Sequence, residues 1–521
     1  MQKILWADDE IDHLKAHVRF LEQKGYAVTT VTNGEDAVYE VKNNDFDIIL
    51  LDEMMSGKDG LTALNEIKDI YPQLPVVMIT KNEEETLMED ALGKRIDDYL
   101  TKPVNPSQIL MACKKILDKR DIITEKRSQE FPAELSQLSF SLMNSMAPGN
   151  WIEHALKIFR MDNDLDGSAE TDFRQILYDQ RREVNVEFGK YIERNYGKWV
   201  NTTNYEERPT LSTDIIPQYV IPELHEGNRV VLWVIDCLRS DQWLALESFF
   251  YQWFRTVNRY YFSILPTATP FSRNAIFSGL FPVEIEKMYP QLWSMNEDDE
   301  SLNRYENELL DLQLKRHGLD LKNDLKYVKI MNADDMRNLE KNLNNYLNSR
   351  LLAVVVNFVD ILAHSRSDLP ILKEIVPDEA AYRSLTRSWF RHSAINGILK
   401  QIAARQDTVS FVTSDHGSVR GLHATKVIGD REASTNLRYK YGRNLRADKK
   451  HAILLKDPGY WKLPKRNINT DYIIAKEDFY FVYPTNYNKY LKHYKDSFQH
   501  GGVSIEEMVL PLVRLESKIP S

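Results

Sequence analysis

Three apolar runs in the second half of this chain each end in side chains that bind metals. Val230-Val231-Leu232-Trp233-Val234-Ile235 leads into Asp236, and Leu352-Ala353-Val354-Val355-Val356-Asn357-Phe358-Val359 leads into Asp360, with His364 four residues on. Val409-Ser410-Phe411-Val412-Thr413-Ser414 leads into Asp415-His416-Gly417, and a fourth segment, His500-Gly501-Gly502, repeats the histidine–glycine design. A buried strand that ends in a carboxylate delivers it to the carboxyl edge of a parallel sheet, where open α/β folds bind ligands. Between the first two runs lies Pro266-Thr267-Ala268-Thr269-Pro270-Phe271-Ser272-Arg273-Asn274. Aspartate and histidine ligands together with a hydroxyl nucleophile are the parts of a two-metal phosphoryl-transfer site.

The spacing supports that reading. A helix that begins just after Asp360 brings His364 to the same side one turn later. Gly417 lets the backbone turn close to a metal. Imidazole with carboxylate suits zinc, and manganese also fits. Two metals about 4 Å apart divide the work of activating a nucleophile and steadying an oxygen. A free threonine is a weak nucleophile, so the hydroxyl must lie beside a metal. Thr267 and Thr269 both qualify. Pro270 suits the first turn of a helix starting at Thr269, where amides can hold phosphate oxygens. Helix capping alone also explains a threonine there, and a lone His364 or His500 reads equally as a core or surface histidine. The ordered set carries the inference.

Residues 1–118 show a second pattern. Short strands (Lys3–Ala7, Ala27–Val31, Ile48–Leu51, Val76–Thr80, Asp98–Leu100) alternate with amphipathic segments. Five such units make one domain with a parallel sheet covered on both faces. Asp8-Asp9 ends the first strand, Asp52 the third and Thr80 the fourth, and Lys102 follows the fifth. These side chains therefore meet at one sheet edge. Clustered carboxylates hold Mg²⁺, a lysine neutralises a phosphoryl group on Asp52, and a hydroxyl can turn towards it. Lys102-Pro103 fits a peptide, cis or trans, that fixes the lysine's aim.

These residues resemble the receiver domain of two-component response regulators. The resemblance is carried by Ile4-Leu5-Trp6-Ala7-Asp8-Asp9-Glu10, by Asp52 to Gly60 and by Asp98-Tyr99-Leu100-Thr101-Lys102-Pro103. It implies a flavodoxin-like five-stranded sheet, phosphorylation of Asp52 by a sensor histidine kinase, Mg²⁺ on Asp8, Asp9, Asp52 and the Met54 carbonyl, and Tyr99 as an aromatic switch. Ser56 stands where receivers usually carry proline. Lys81 follows Thr80 where a small residue is usual, and its length predicts slow loss of phosphate from Asp52.

The later ordered set resembles the alkaline phosphatase superfamily over about 228–515. The resemblance implies one metal site of Asp236, Thr269, Asp415 and His416, and another of Asp360, His364 and His500. It favours Thr269 as nucleophile with Thr267 as the fallback; Phe271-Ser272-Arg273-Asn274 departs from the superfamily's pattern after that point, so Asn274 or Arg273 is expected to take over phosphate binding. Phe271 and Trp233 are candidate walls for the second group of a diester. Asp236 to Gln242 and His500 to Glu507 resemble the PglZ branch. A receiver joined by helices to such a domain resembles the response regulators associated with type IX secretion and gliding. That implies a phosphodiesterase acting on nucleotides or oligonucleotides, a monoesterase being the lesser expectation, and phosphorylation-promoted homodimers. The alternative is a metal-bound binding module that acts on a sigma factor or secretion component without obligatory catalysis.

The expected organisation is a receiver at 1–118, a helical connector at 119–205, and an alkaline-phosphatase-like α/β domain at 206–521 with a polar insertion at about 296–350. About two or three domains suit 521 residues. Asp162-Asn163-Asp164-Leu165-Asp166-Gly167 begins like a calcium loop, but Phe173 stands where the closing glutamate belongs, so an acidic turn is expected. The basic stretch 430–470 reads either as a solvated loop or as a flap facing substrate. The net charge of −10 argues against broad nucleic-acid coating, and no recognition helix with a basic face is evident. Cys113 and Cys237 offer no disulfide framework and read as inert buried thiols. No signal segment or membrane-length apolar run is seen, so a soluble, cytoplasmic protein is expected.

Overall fold

A computed structural model describes residues 2–71, 74–80, 96–142, 146–166, 171–293, 303–368, 370–430, 433–485 and 487–518. Lys81 lies outside the described residues, as do Arg431 of the basic stretch and the first part of the polar stretch. The chain divides into two compact units, Met1–Gln137 and Leu138–Ser521.

The first unit holds five parallel strands, β1 (Lys3–Ala7), β2 (Ala27–Val31), β3 (Ile48–Asp52), β4 (Val76–Thr80) and β5 (Asp98–Thr101), in the order β2-β1-β3-β4-β5. Alternation along β1 supplies a core to each face: Ile4 and Trp6 pack on one side, Leu5 and Ala7 on the other. Asn33 and Asp59 cap the helices Gly34–Asn43 and Gly60–Ile70 by accepting from the amides of Asp36 and Thr62. The strand order reverses between β1 and β3, so Asp8-Asp9 and Asp52 flank a crevice at the carboxyl edge.

The second unit is built on a mixed six-stranded sheet. Its strands are β6 (Arg229–Ile235), β7 (Phe254–Phe262), β8 (Leu325–Ile330), β9 (Leu351–Val356), β10 (Thr408–Thr413) and β11 (Val509–Ser517), in the order β7-β11-β10-β6-β9-β8. β10, β6, β9 and β8 run parallel, while at one side β11 pairs antiparallel with β10 and β7 pairs antiparallel with β11. β6 lies between β9 and β10, so connections leave it in both directions and Asp236 ends at the switch point. Val231, Trp233 and Ile235 pack one face with Val354, Val356 and Val412.

One expectation changes here. The polar stretch 296–350 is not simply an insertion, because β8 within it is the edge strand of the main sheet. Leu325-Lys326-Tyr327-Val328-Lys329 is only half-buried there, which is why the segment reads as polar. The helices Pro148–Asp164 and Thr171–Asn201 of the expected connector belong to the second compact unit. Asp162 and Asp166 form their acidic turn around the buried Arg383. Both cysteines are buried and unpaired, and burial pushes the Cys113 thiol up to about 12. Among the described residues, no helix is long and apolar enough to cross a membrane.

Candidate metal centres

At the edge of the second sheet the structure gathers Asp236, Asp415 and His416 into one group and Asp360, His364 and His500 into another. In each group the candidate ligand atoms lie within 4.8 Å of one another. The rings of His416 and His500 stack with centroids 4.2 Å apart, so the two groups adjoin. Asp360 and His364 share one face of the helix Phe358–Asp368, with His364 Nε2 3.4 Å from Asp360 Oδ1 and 3.1 Å from His500 Nε2.

Thr269 opens the helix Thr269–Ser278, with Pro270 in its first turn. Its Oγ1 is 2.9 Å from His416 Nε2 and 3.5 Å from Asp236 Oδ1. Thr267 points elsewhere. Its hydroxyl donates to Gly502 O at 2.7 Å and accepts from Gly501 N at 3.2 Å, bracing the turn that follows His500.

Local structure aims the ligands. His416 Nδ1 lies 3.0 Å from Gly417 O, which places the ring proton there and leaves Nε2 as an electron-pair donor. Asp415 Oδ1 accepts from the amides of Cys237 (3.2 Å) and His416 (3.0 Å), and Cys237 adopts a left-handed φ of 65° to make that bond. Asp415 Oδ2 is buried with no hydrogen-bond partner.

The electrostatics favour bound cations. Burial and the neighbouring Asp415 push the Asp236 carboxyl well above its usual range, with Arg273 opposing. Burial would raise Asp360 too, but the hydrogen bond and charge of His364 hold it down. Burial and His416 push His500 well below the usual histidine value, so it stands neutral, as a ligand must. Asp236, Asp415 and Glu306 share the single guanidinium of Arg273, an excess of buried negative charge that divalent cations would balance.

Arg273 differs from its expected role on the phosphate. It is buried, with Nη1 2.6 Å from Asp236 Oδ2 and Nε 2.6 Å from Glu306 Oε1. Asn274 is buried and donates back to Pro270 O at 2.9 Å. Phe271 and Trp233 are also buried, Phe271 among Trp293, Tyr439 and Tyr472, so neither offers an open wall to a substrate. Glu306 escaped the sequence reading because it sits in a polar helical stretch; Tyr327 donates a hydrogen bond to its other oxygen. The basic stretch is partly structural. Arg438 and Lys440 are buried, and Arg438 pairs with Glu507.

In the receiver, Asp8, Asp9 and Asp52 form a third group. Lys102 Nζ bridges Asp8 Oδ2 (3.0 Å) and Asp52 Oδ2 (2.9 Å), and the Lys102–Pro103 peptide is cis. Burial raises the Asp52 carboxyl. Burial also lowers Lys102, but its bonds to Asp52 and Asp8 prevail and hold it above the usual lysine value. The Thr80 hydroxyl donates to Glu53, Tyr99 is 41% exposed, and the Met54 side chain faces solvent.

Residues 4–114 match the response regulator receiver domain, 121–200 the PorX response regulator linker domain, and 215–515 the BREX system PglZ alkaline phosphatase-like domain. Curated relatives match through the receiver. The transcriptional regulatory protein ResD of Bacillus subtilis is 32% identical over 115 residues, covering 22% of this chain and 48% of its own. The alkaline phosphatase synthesis transcriptional regulatory protein PhoP, also from Bacillus subtilis, is 30% identical over 139 residues, 26% of this chain and 57% of its own. The chain thus spans about half the length of these relatives. Similar solved structures include a two-component response regulator from Clostridium difficile (32% identity, 23% of this chain and 98% of that one, TM-score 0.22). Another is the response regulator TrrA of Thermotoga maritima in complex with Mg(2+)-BeF (27% identity, 22% and 100%, TM-score 0.21). With a receiver, the PorX linker and a PglZ domain spanning more than half its length, the chain belongs to the PglZ alkaline phosphatase-like family, as a response regulator of the PorX type.

Proposed function

We propose that this response regulator is a phosphorylation-controlled phosphodiesterase whose nucleophile is Thr269. The observation that carries the reading is the Thr269 hydroxyl, set at a helix start within 2.9 Å of His416 Nε2 and beside Asp236. Asp236, Thr269, Asp415 and His416 would hold one cation, and Asp360, His364 and His500 a second. Bound divalent cations, zinc suiting these donors best, would acidify the hydroxyl and offset charge on the phosphate. Thr269 Oγ1 releases its proton to water and forms the new bond to phosphorus as the bond to the ester oxygen breaks on the opposite side; the departing alkoxide takes a proton from water, and a second water later frees the phosphomonoester and restores the threonine hydroxyl. A diester suits the site better than a monoester. The second negative charge of a monoester calls for a cationic side chain, and Arg273 is held by Asp236 and Glu306.

In the receiver, Asp52 accepts the phosphoryl group from a sensor histidine kinase. Mg²⁺ would be held by Asp8, Asp9, Asp52 and the Met54 carbonyl, Lys102 neutralises the incoming charge, and Thr80 and Tyr99 respond. Phosphorylation promotes a homodimer. Nucleotide or oligonucleotide substrates and the control of type IX secretion and gliding are supported by the likeness to PorX-type regulators, as is a cytoplasmic location.

The test is hydrolysis of a nitrophenyl phosphodiester beside the matching monoester, with added zinc or manganese and Thr269→Ala as the blank. Diester turnover that vanishes in the variant is expected. Protein that holds both metals and turns over neither ester would reject catalysis in favour of a binding module acting on a sigma factor or secretion component.

A further inference from the structure

The helix Ile505–Met508 is only four residues long, yet it bonds the turns that follow His416 and His500, one from each candidate metal group. Its two neighbouring glutamates are buried and point in different directions. Glu507 serves the His500 turn. Its Oε1 accepts from Gly502 N at 2.8 Å, and Arg438 grips the carboxylate with Nη2 at 2.6 Å and Nε at 3.1 Å. The Glu507 carbonyl accepts from Gly417 N at 3.1 Å, and the Glu506 carbonyl lies 1.9 Å from where a Cβ on Gly417 would sit. The backbone after Asp415-His416 therefore rests directly on this short helix.

The Glu506 side chain turns to the linker helix Thr171–Asn201. Arg181 Nε donates to its Oε1, Asn185 Nδ2 donates to its Oε2 at 3.1 Å, and Asn185 Oδ1 accepts from Ile505 N at 2.8 Å. Burial alone would raise the Glu506 carboxyl, but Arg181 and Arg239 hold it below its usual value, so it is charged. A buried carboxylate that loses its cation is strongly disfavoured. Arg181 Nη1 also reaches Asp162 Oδ2 at 3.3 Å, and Arg383, with Asp162 and Asp241 at 2.7 and 2.9 Å, fastens the other linker helix.

We propose that Arg181 and Asn185 of the linker are positioning residues for the hydrolytic site: through Glu506 and the Ile505–Met508 helix they fix the His500 turn relative to the Asp415-His416 turn. The proposal rests on reading both groups as metal sites, and the test separates the two ideas. Metal-free full-length protein is titrated with Co²⁺ and followed by the intense visible absorption of low-coordinate, histidine-bound cobalt. The parent protein tests the metal reading. Arg181→Met combined with Glu506→Gln, which removes both charges together, tests the proposal, with Asn185→Ala as a second variant that keeps the ion pair. Arg229→Met is the stability control, since Arg229 pairs with Asp407 at the opposite end of β6. The expected result is Co²⁺ affinity at least tenfold weaker and a changed absorption band in both linker variants, with Arg229→Met within twofold of the parent. Arg181→Lys, which keeps the charge, is expected to recover part of the affinity. Unchanged affinity and band in the folded linker variants, or an equal loss in Arg229→Met, would overturn the positioning role. A parent without the band would reject the metal reading and this proposal with it.

Discussion

Thr267 and Thr269 are two residues apart and chemically identical, yet their hydroxyls meet different partners. Thr267 braces Gly501 and Gly502, while Thr269 faces His416. Thr267→Val is therefore expected to lower stability by about 1–2 kcal/mol through unpaired backbone groups, measured by denaturant unfolding, and to weaken metal uptake. Thr269→Ala should keep its metals and lose turnover by about a thousandfold or more. A single threonine at a strand-to-helix turn does not reveal in sequence which neighbour it will meet, so the motif left both open. Gly60 is a simpler case. A Cβ there would lie 2.0 Å from the Asp52 carbonyl oxygen, so Gly60→Ala should cost about 1–3 kcal/mol and slow phosphorylation of Asp52 by a small phosphodonor.

At the scale of elements, strands buried on both faces were legible because they read as unbroken apolar runs. β3 ends at Asp52 and β6 just before Asp236 as expected, but β9 stops at Val356 and Asp360 lies in the first turn of the helix that follows rather than at the strand end. What stayed hidden was β8, whose half-exposed edge position lets lysines into the strand, and the pairing of Glu306 with Arg273, which joins residues 33 apart by contact rather than by pattern. The small sheet built from Tyr439–Gly442, Asp471–Ala475 and Ala452–Leu455 carries a further hidden feature. Lys440 is buried there, donates to Ser434 O and Asn436 O, and lies over the Tyr483 ring; burial pulls its ammonium down to about 7. A lysine in the unfolded chain keeps its proton to about pH 10. The unfolded state thus binds more protons between about pH 7 and 10, and this residue makes stability rise with pH across that window and costs its full penalty below it. Lys440→Met should flatten the slope by up to about 1.4 kcal/mol per pH unit, read from urea midpoints at stepped pH. An unaltered slope would show that Lys440 stays charged when folded.

For the whole molecule, two compact units with separate candidate cation groups should unfold in two steps. Mg²⁺ at a hundred times its Kd is expected to stabilise the receiver by about 2.7 kcal/mol and leave the other transition alone. Asp8→Asn should abolish that gain in calorimetry. A zinc chelator should lower the second transition only. One merged transition that answers to both metals would contradict this independence.

The packing of the linker helices into the second unit also says where such a protein can exchange parts. A graft that replaces everything before residue 138 swaps one input for another and leaves the hydrolytic machinery its own scaffolding. A graft joined near residue 205 would strip Arg181, Asn185, Asp162 and Asp166 from their partners and strand buried charges on the recipient. In lineages that shuffle domains, the linker should travel with the PglZ domain as inherited cargo, while receivers come and go.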